Sequence, residues 1–200
     1  MSRRAARFGT NSRFRPRRGL RFAPNRLLGA LGLLPWLSVR PVIDRSDHAV
    51  IEAQLGRPPR SIHGIAHRCP CGNPDVVATE PRLEDGTPFP TTFYLTCPRA
   101  ASMIGTLEAS GLMKQMSERL DSEPALADSY RRAHKSYLAF RESIGAVPEI
   151  AGVSAGGMPA RVKCLHVLAG QALAQGRGVN PLGDEVLDLL GEFWAPGPCG

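Results

Sequence analysis

The sequence predicts an α+β fold, in which a small antiparallel β-hairpin or sheet carries about five packed helices. Two observations lead to this prediction. Two β-prone runs, residues 76–79 and 91–96, flank a proline-containing loop centred on Asp85-Gly86, as in a hairpin with a long loop. After Cys97 the apolar residues recur with a period of about 3.6, which is typical of helices. Hydrophobic residues make up 42% of the chain, which is enough to bury one core.

The charge distribution divides the chain into a basic tail, residues 1–41, and a single α+β domain, residues 42–196. Residues 1–40 contain ten arginines and no acidic residue, whereas the remaining residues carry 15 Lys and Arg against 18 Asp and Glu. We expect the tail to be disordered, or to precede the true start of translation. Because the positive excess lies in the tail, the net charge of +7 does not predict a nucleic-acid partner for the domain.

The tail also contains an apolar run, residues 27–39, which two glycines and a proline interrupt. It is too short to cross a bilayer, for which about 20 residues are needed. No small-x-small cleavage site follows it. We therefore predict no membrane span and a cytoplasmic location, where clustered cysteines are more often metal ligands or catalytic groups than disulfides.

The first elements of the domain lead to the cysteines. A short helix is expected at residues 47–55, and residues 61–67 are expected to be extended. In the hairpin described above, the numbers of opposed residues sum to about 171. Position 97 therefore falls beside position 74, and the hairpin returns Cys97 to the neighbourhood of Cys71.

The chain after Cys97 is predicted to be mainly helical. Pro98 suits the first position of a helix. The clearest helix has apolar residues spaced alternately four and three apart, at Leu126, Tyr130, Ala133, Tyr137, Phe140 and Ile144. His134 lies off this stripe and is expected on a solvated face. A further helix is predicted to begin at Pro159, after a glycine-rich loop, and a last one to follow Asn180.

The cysteines form the most informative pattern. Cys69 and Cys71 flank Pro70, and an extended backbone would place both side chains on one side. A tetrahedral zinc ion with Zn–S bonds of about 2.3 Å holds its sulfurs only about 3.8 Å apart, which such a pair can match. A direct disulfide between them would close a strained ring. Cys97 stands at a helix N-terminus, where the helix dipole stabilises a thiolate.

The fourth ligand is predicted to be Cys164 or His166. Residues two apart on a helix point about 200° from each other, so we do not expect both to bind one metal. We favour Cys164. The predicted metal ligands are thus Cys69, Cys71, Cys97 and Cys164, with His67 and His166 as substitutes. Zinc is the expected metal and an iron–sulfur cluster the alternative. Buried free thiols or a redox pair would also account for the pattern, and Cys199 is expected to be incidental.

A second candidate site is the segment "SAGGMPARVK". Backbone N–H groups before the predicted helix, together with two cations one turn later, could hold a phosphate-containing ligand. The residues concerned are Ser154, Gly156, Gly157, Arg161 and Lys163. An ordinary glycine-rich entry into a helix is the simpler explanation. If both predicted sites exist, the anion would lie about 8–10 Å from the metal, at about 1.5 Å per helical residue.

Four motifs together resemble an uncharacterised, mainly actinobacterial family known only as a domain of unknown function. They are "EAQLGRPPR", "HRCPCGNPDVV", "DGTPFPTTFYLTCPR" and "PEIAGVSAGGMPARVKCLH". The resemblance covers about residues 47–194 and leaves out the basic tail. It implies no established activity, so the function must be inferred from the residues themselves.

The cysteine pattern favours a cytoplasmic, cysteine-rich metal-binding protein, with zinc as the metal. One alternative is a metal- or thiol-dependent enzyme that acts on a phosphorylated or anionic substrate beside Gly156-Gly157. A closed four-cysteine site would favour the first function, and a site with three protein ligands and a water would favour the second. A third alternative is an RNA-associated module with a basic patch at Arg131, Arg132, Lys135 and Arg141.

Overall fold

The computed structural model describes residues 43–199, which form a three-stranded antiparallel sheet with six α-helices. The predicted α+β fold is therefore confirmed. The sheet has the strand order β1-β2-β3. The elements in chain order are α1 (Arg45–Leu55), β1 (Ile62–Arg68), β2 (Pro74–Thr79), β3 (Phe93–Leu95), α2 (Pro98–Ala109), α3 (Leu112–Ser122), α4 (Pro124–Ile144), α5 (Leu165–Gln175) and α6 (Pro181–Leu190), with a 3-10 turn at Pro148–Ile150.

The register of the β2–β3 hairpin is the one that the sequence predicts. Val76 pairs with Leu95 and Val77 with Tyr94, so that opposed residue numbers sum to 171. Strand β3 ends earlier than the β-prone run of the sequence, at Leu95. The chain then turns directly into α2, with Cys97 as its N-cap residue. The hairpin therefore delivers Cys97 to the end of the sheet at which β2 begins.

A second hairpin joins β1 to β2, and its turn contains Cys69 and Cys71. The N–H of Gly72 donates to the carbonyl of Cys69 at 2.8 Å, which closes a β-turn. Pro70 occupies the second position of this turn, which its fixed φ suits, and Gly72 adopts a φ of 93°, which favours glycine. The expectation of an extended backbone at these cysteines is therefore wrong, because Cys69 and Cys71 lie in a β-turn, and this turn determines the positions of both thiols.

Helix α4 buries the middle of the apolar stripe that the sequence predicts, three of its six residues. Tyr130, Ala133 and Tyr137 are fully buried, and Phe93 of β3 packs edge-on against Tyr137 with ring centroids 5.3 Å apart. The hydroxyl of Tyr137 also accepts the backbone N–H of Thr92 at 2.6 Å. Helix α4 is thus fixed to the sheet both by apolar packing and by a hydrogen bond.

Helix α5 begins at Leu165, six residues later than predicted. The intervening residues form turns, in which the N–H groups of Arg161 and Lys163 donate to the carbonyls of Gly157 and Gly156. Those hydrogen bonds replace the first turn of the expected helix. Helix α5 itself packs between the sheet and α6 and is buried over most of its length. Among residues 43–199, no helix is both long enough and apolar enough to cross a membrane.

Candidate metal centre

Three polar side chains from the N-terminal half of the domain bind the C-terminal segment, residues 191–199. Arg99 in the first turn of α2 donates to two backbone carbonyls of this segment at 3.0 Å. Gln54 of α1 and Asn73 of the β1–β2 turn both donate to the carbonyl of Cys199 at 3.0 Å. Because three elements hold the segment, Cys199 has a defined place beside the β1–β2 turn.

Three sulfur atoms converge at this place. The sulfur of Cys199 lies 3.4 Å from that of Cys71 and 3.4 Å from that of Cys69, and all three lie within 4.8 Å of one another. Cys69 and Cys199 are buried, and Cys71 is half-buried. Sulfurs around a tetrahedral zinc ion are about 3.8 Å apart, so small movements of the side chains would allow all three to bind one ion.

Cys97 adjoins the same group of thiols. Its side chain is fully buried, and its sulfur accepts the N–H of Ala100 at 3.5 Å, as an N-cap does. Burial raises the pKa of Cys199, and the thiols of Cys69, Cys71 and Cys97 that touch it raise the pKa further. Cys97 therefore borders the three converging sulfurs at Cys199, and we call the four residues the cysteine cluster (Cys69, Cys71, Cys97 and Cys199).

Backbone N–H groups point at the sulfurs of the β1–β2 turn. Burial raises the pKa of Cys71, but N–H groups of Cys199 and Asn73 and the neighbouring thiols outweigh that effect and lower the pKa to about 7. The N–H of Cys71 donates in turn to the sulfur of Cys69, although burial dominates there and raises its pKa. Donors of this kind favour the thiolate, which is the form that binds metals.

Of the predicted ligands, Cys69 and Cys71 lie together, Cys97 borders Cys199 beside them, and Cys164 is not among them. Cys164 belongs to a separate group, and Cys199, which was expected to be incidental, is buried in the cluster instead. No spacing in the sequence identifies Cys199. The sequence shows only that the chain has a fifth cysteine besides the four predicted ligands. Tertiary structure alone brings Cys199 to the β1–β2 turn.

His67, the substitute ligand before the turn, has another partner. Its Nδ1 lies 2.7 Å from the Oδ1 of Asp75, a fully buried carboxylate. The ring also borders a pocket of about 270 Å³, whose wall includes Pro70 and Trp194. His67 is therefore placed beside the cysteine cluster, with its Nδ1 taken up by Asp75.

The second group, which we call the Glu–Cys–His cluster, consists of Glu108, Cys164 and His166. Their ligand atoms lie within 4.8 Å of one another, and all three side chains are half-buried. Nδ1 of His166 is 3.1 Å from Oε1 of Glu108 and 3.8 Å from the sulfur of Cys164. The Cys164 sulfur, followed by the Glu108 carboxylate, raises the pKa of His166 to about 9 against the opposing effect of burial.

This cluster corrects the expectation that Cys164 and His166 point in different directions. That expectation required both residues to be inside a helix. Cys164 is in fact the extended N-cap residue of α5, with φ −155° and ψ 114°, and only His166 is helical. The two side chains can therefore converge. The sequence analysis also missed Glu108, because a single glutamate in α2 is not part of any motif with the "KCLH" segment 55 residues later.

The predicted anion site lacks the geometry that motivated it. No helix begins at Pro159, and the N–H groups of Arg161 and Lys163 are already used by glycine carbonyls. Ser154 is buried, and its hydroxyl lies 2.9 Å from Nδ1 of His134. His134 is accordingly half-buried, not on a solvated face as expected.

The four residues of the basic patch predicted for RNA binding do not all remain available on the surface. Arg141 is buried and donates to the carbonyls of Ile150 and Val153, so it is unavailable to a partner. Arg131 is paired with Asp128 one turn earlier on α4. The geometry thus leaves only part of the patch on the surface.

Fold and site define an α+β protein in which, among residues 43–199, two groups of side chains could hold a metal ion. The chain belongs to the family described as "Protein of unknown function (DUF501)", whose model matches residues 65–188. No curated protein and no solved structure matches the chain. The matched range includes the whole Glu–Cys–His cluster and three members of the cysteine cluster, and it ends before Cys199.

Proposed function

We propose that this protein binds a zinc ion through the cysteine cluster and that the ion has a structural role. The observation that carries the proposal is that the sulfurs of Cys69, Cys71 and Cys199 converge. Cys199 lies 3.4 Å from each of the other two sulfurs, although it is distant from them in the chain. Cys97 is the fourth ligand. Four thiolates around zinc are a common structural site.

The sulfur spacing supports a single ion over an iron–sulfur cluster. In a [2Fe–2S] or [4Fe–4S] cluster the four cysteine sulfurs are distributed over two or four irons, so they spread around the whole cluster. Three sulfurs that all lie within 4.8 Å of one another fit around one ion. A closed four-sulfur site also leaves no position for a substrate or a water, which favours a structural role over the enzymatic alternative at this cluster.

The ion would fasten the C-terminal segment to the β1–β2 turn and to the start of α2. Those contacts otherwise depend on hydrogen bonds from Gln54, Asn73 and Arg99. Structural zinc contributes its binding free energy to folding, so the bound domain is more stable than the unbound one. We place the protein in the cytoplasm, because all five cysteines are free and a reducing compartment keeps them so.

The test is the zinc content and thermal stability of the purified full-length chain. Wild-type protein should hold zinc in a sulfur-only site, which X-ray absorption identifies by Zn–S bonds of about 2.3 Å. Cys71→Ser should lose this ion and melt at a lower temperature, because it removes a ligand. Cys164→Ser removes a half-buried thiol outside the cluster and should keep the sulfur-only zinc, which shows that the loss of any thiol does not remove this ion.

The proposal fails if Cys71→Ser retains the sulfur-only zinc and the wild-type melting temperature. It also fails if the wild-type chain, purified under reducing conditions with zinc present, contains no sulfur-bound metal.

A further inference from the structure

We propose that the Glu–Cys–His cluster is a second metal site, separate from the cysteine cluster, and that it binds a divalent zinc-like cation in an open coordination shell. The cluster shares no residue with the first site. Its ligands come from the C-terminal half of α2 and from the start of α5. The proposal is independent of the proposed function.

The donor set has the chemistry that zinc accepts. Glu108 offers a carboxylate oxygen, Cys164 a sulfur and His166 a ring nitrogen, and these atoms lie within 4.8 Å of one another. Zinc binds oxygen, nitrogen and sulfur at about 2.0–2.3 Å, so one ion between the three atoms needs only small side-chain movements. Magnesium and calcium prefer oxygen ligands and are disfavoured by the thiolate and the imidazole.

The hydrogen bonds of His166 orient it as metal-binding histidines are oriented. Its Nε2 lies 3.1 Å from the backbone carbonyl of Ala101, which can only accept, so Nε2 carries a hydrogen. Nδ1 then faces the Glu108 carboxylate at 3.1 Å and the Cys164 sulfur at 3.8 Å. A cation between the ring and these two groups would contact the carboxylate, the sulfur and Nδ1 together. A metal ion on Nδ1, with Nε2–H donating to a carbonyl, is the usual second-shell arrangement.

The other two ligands are held in place as well. Oε1 of Glu108 accepts the N–H of Leu165, the first residue of α5, at 2.7 Å. Cys164 is the N-cap residue of the same helix, with an extended backbone that fixes where its side chain starts. A carboxylate and a thiolate together carry two negative charges, which one divalent cation neutralises.

Three protein ligands leave one tetrahedral position vacant for water. The side chains of His166 and Glu108 are 31% and 24% exposed, so solvent reaches the cluster. Zinc sites with three protein ligands and a water are typical of catalysis, whereas four-cysteine sites are closed. The structure therefore assigns the two clusters different roles: the cysteine cluster is closed, and the Glu–Cys–His cluster is open.

The experiment uses the full-length chain loaded with zinc alone. Wild type should bind two zinc ions per chain, and X-ray absorption should show nitrogen or oxygen neighbours at about 2.0–2.2 Å besides sulfur. His166→Gln should lose one zinc ion and leave a sulfur-only spectrum. Cys164→Ser should do the same. His134→Gln, which changes a half-buried histidine outside both clusters, is the matched control and should bind two ions.

The two sites can fail separately. A wild-type chain that binds one ion, which His166→Gln retains with sulfur-only neighbours, would overturn this inference and leave the proposed function intact. One ion with mixed neighbours, lost in His166→Gln and kept in Cys71→Ser, would overturn the proposed function and support this inference. If Cys164→Ser does not fold, His166→Gln alone tests the second site, because it leaves every cysteine unchanged, including Cys164, the N-cap residue of α5.

Discussion

The sulfur of Cys199 lies 3.4 Å from the sulfur of Cys69, although the two residues are 130 positions apart in the chain. Cys69 opens the β1–β2 turn, whereas Cys199 follows the end of α6 by nine residues. An ion bound to both would close a loop that contains most of the domain. Because closing a long loop restricts the unfolded chain strongly, a metal at this position is well placed to stabilise the fold.

Removal of the metal should therefore lower the melting temperature of wild-type protein. Zinc at about a thousand times its Kd stabilises a protein by about 4 kcal/mol. For a domain of this size that corresponds to roughly 8–16 °C. The measurement is differential scanning calorimetry of the zinc-loaded chain before and after treatment with a chelator.

Cys199→Ser provides the control for this measurement. It should begin near the melting temperature of chelated wild type and lose most of the response to chelator, since one ligand of the cysteine cluster is missing. If chelation leaves the wild-type melting temperature unchanged, no metal stabilises the fold.

The fold could be predicted where local signals determine it. Asp85-Gly86 marks the centre of the β2–β3 loop, so the register followed from counting. The β1–β2 hairpin carries no such signal, because its turn is built on Pro70 and not on a typical two-residue hairpin pair. The start of α5 was misplaced because Pro159 suits a first helical position, while the carbonyls of Gly156 and Gly157 hold the following residues in turns.

The site could be predicted only where the local fold brings its residues together. The turn carries Cys69 and Cys71, and hairpin register adds Cys97. Cys199 depends on tertiary hydrogen bonds from three distant elements, which no pattern in one sequence reveals. Glu108 is one of 18 acidic residues, and only the packing of α2 against α5 distinguishes it.

The packing of α6 against α5 predicts a strong effect of a methyl group at Gly183. A Cβ there would overlap the carbonyl oxygen of Leu168 and would lie 2.9 Å from the Cβ of Ala172. Gly183→Ala should therefore destabilise the domain by about 1–3 kcal/mol through overpacking. Gly105→Ala is the matched control, because nothing lies within 4 Å of its Cβ and the site is inside α2. It should stabilise by about 0.4–1 kcal/mol, and equal urea midpoints for the two variants would refute the packing.

The burial of Arg141 predicts that its hydrogen bonds support the fold. The side chain is 2% exposed and donates to the carbonyl of Ile150 at 2.8 Å and to that of Val153. Arg141→Met keeps the length but removes both donors, and it should lower the free energy of unfolding by about 2–4 kcal/mol. Arg132→Met, at an exposed arginine of α4, should change it by less than about 0.5 kcal/mol. Similar losses in both variants, measured by urea unfolding, would contradict a structural role of Arg141.

The surroundings of His134 predict a loss of stability in acid. Burial lowers the pKa of His134, and the nearby positive charge of Arg141 lowers it further. In the unfolded chain a histidine takes up a proton near pH ~6.5. Between that pH and the lowered pKa of the folded state, the unfolded chain binds more protons, so stability falls as pH falls through this window.

His134→Gln should remove this part of the pH dependence of stability, whereas Ser154→Ala keeps the histidine and should retain a pH dependence. Urea unfolding of both variants and of wild type from about pH 7.5 to 5 measures it. Because both metal clusters are the same in all three proteins, the difference isolates His134, and an equal slope in wild type and His134→Gln would show that its proton does not contribute.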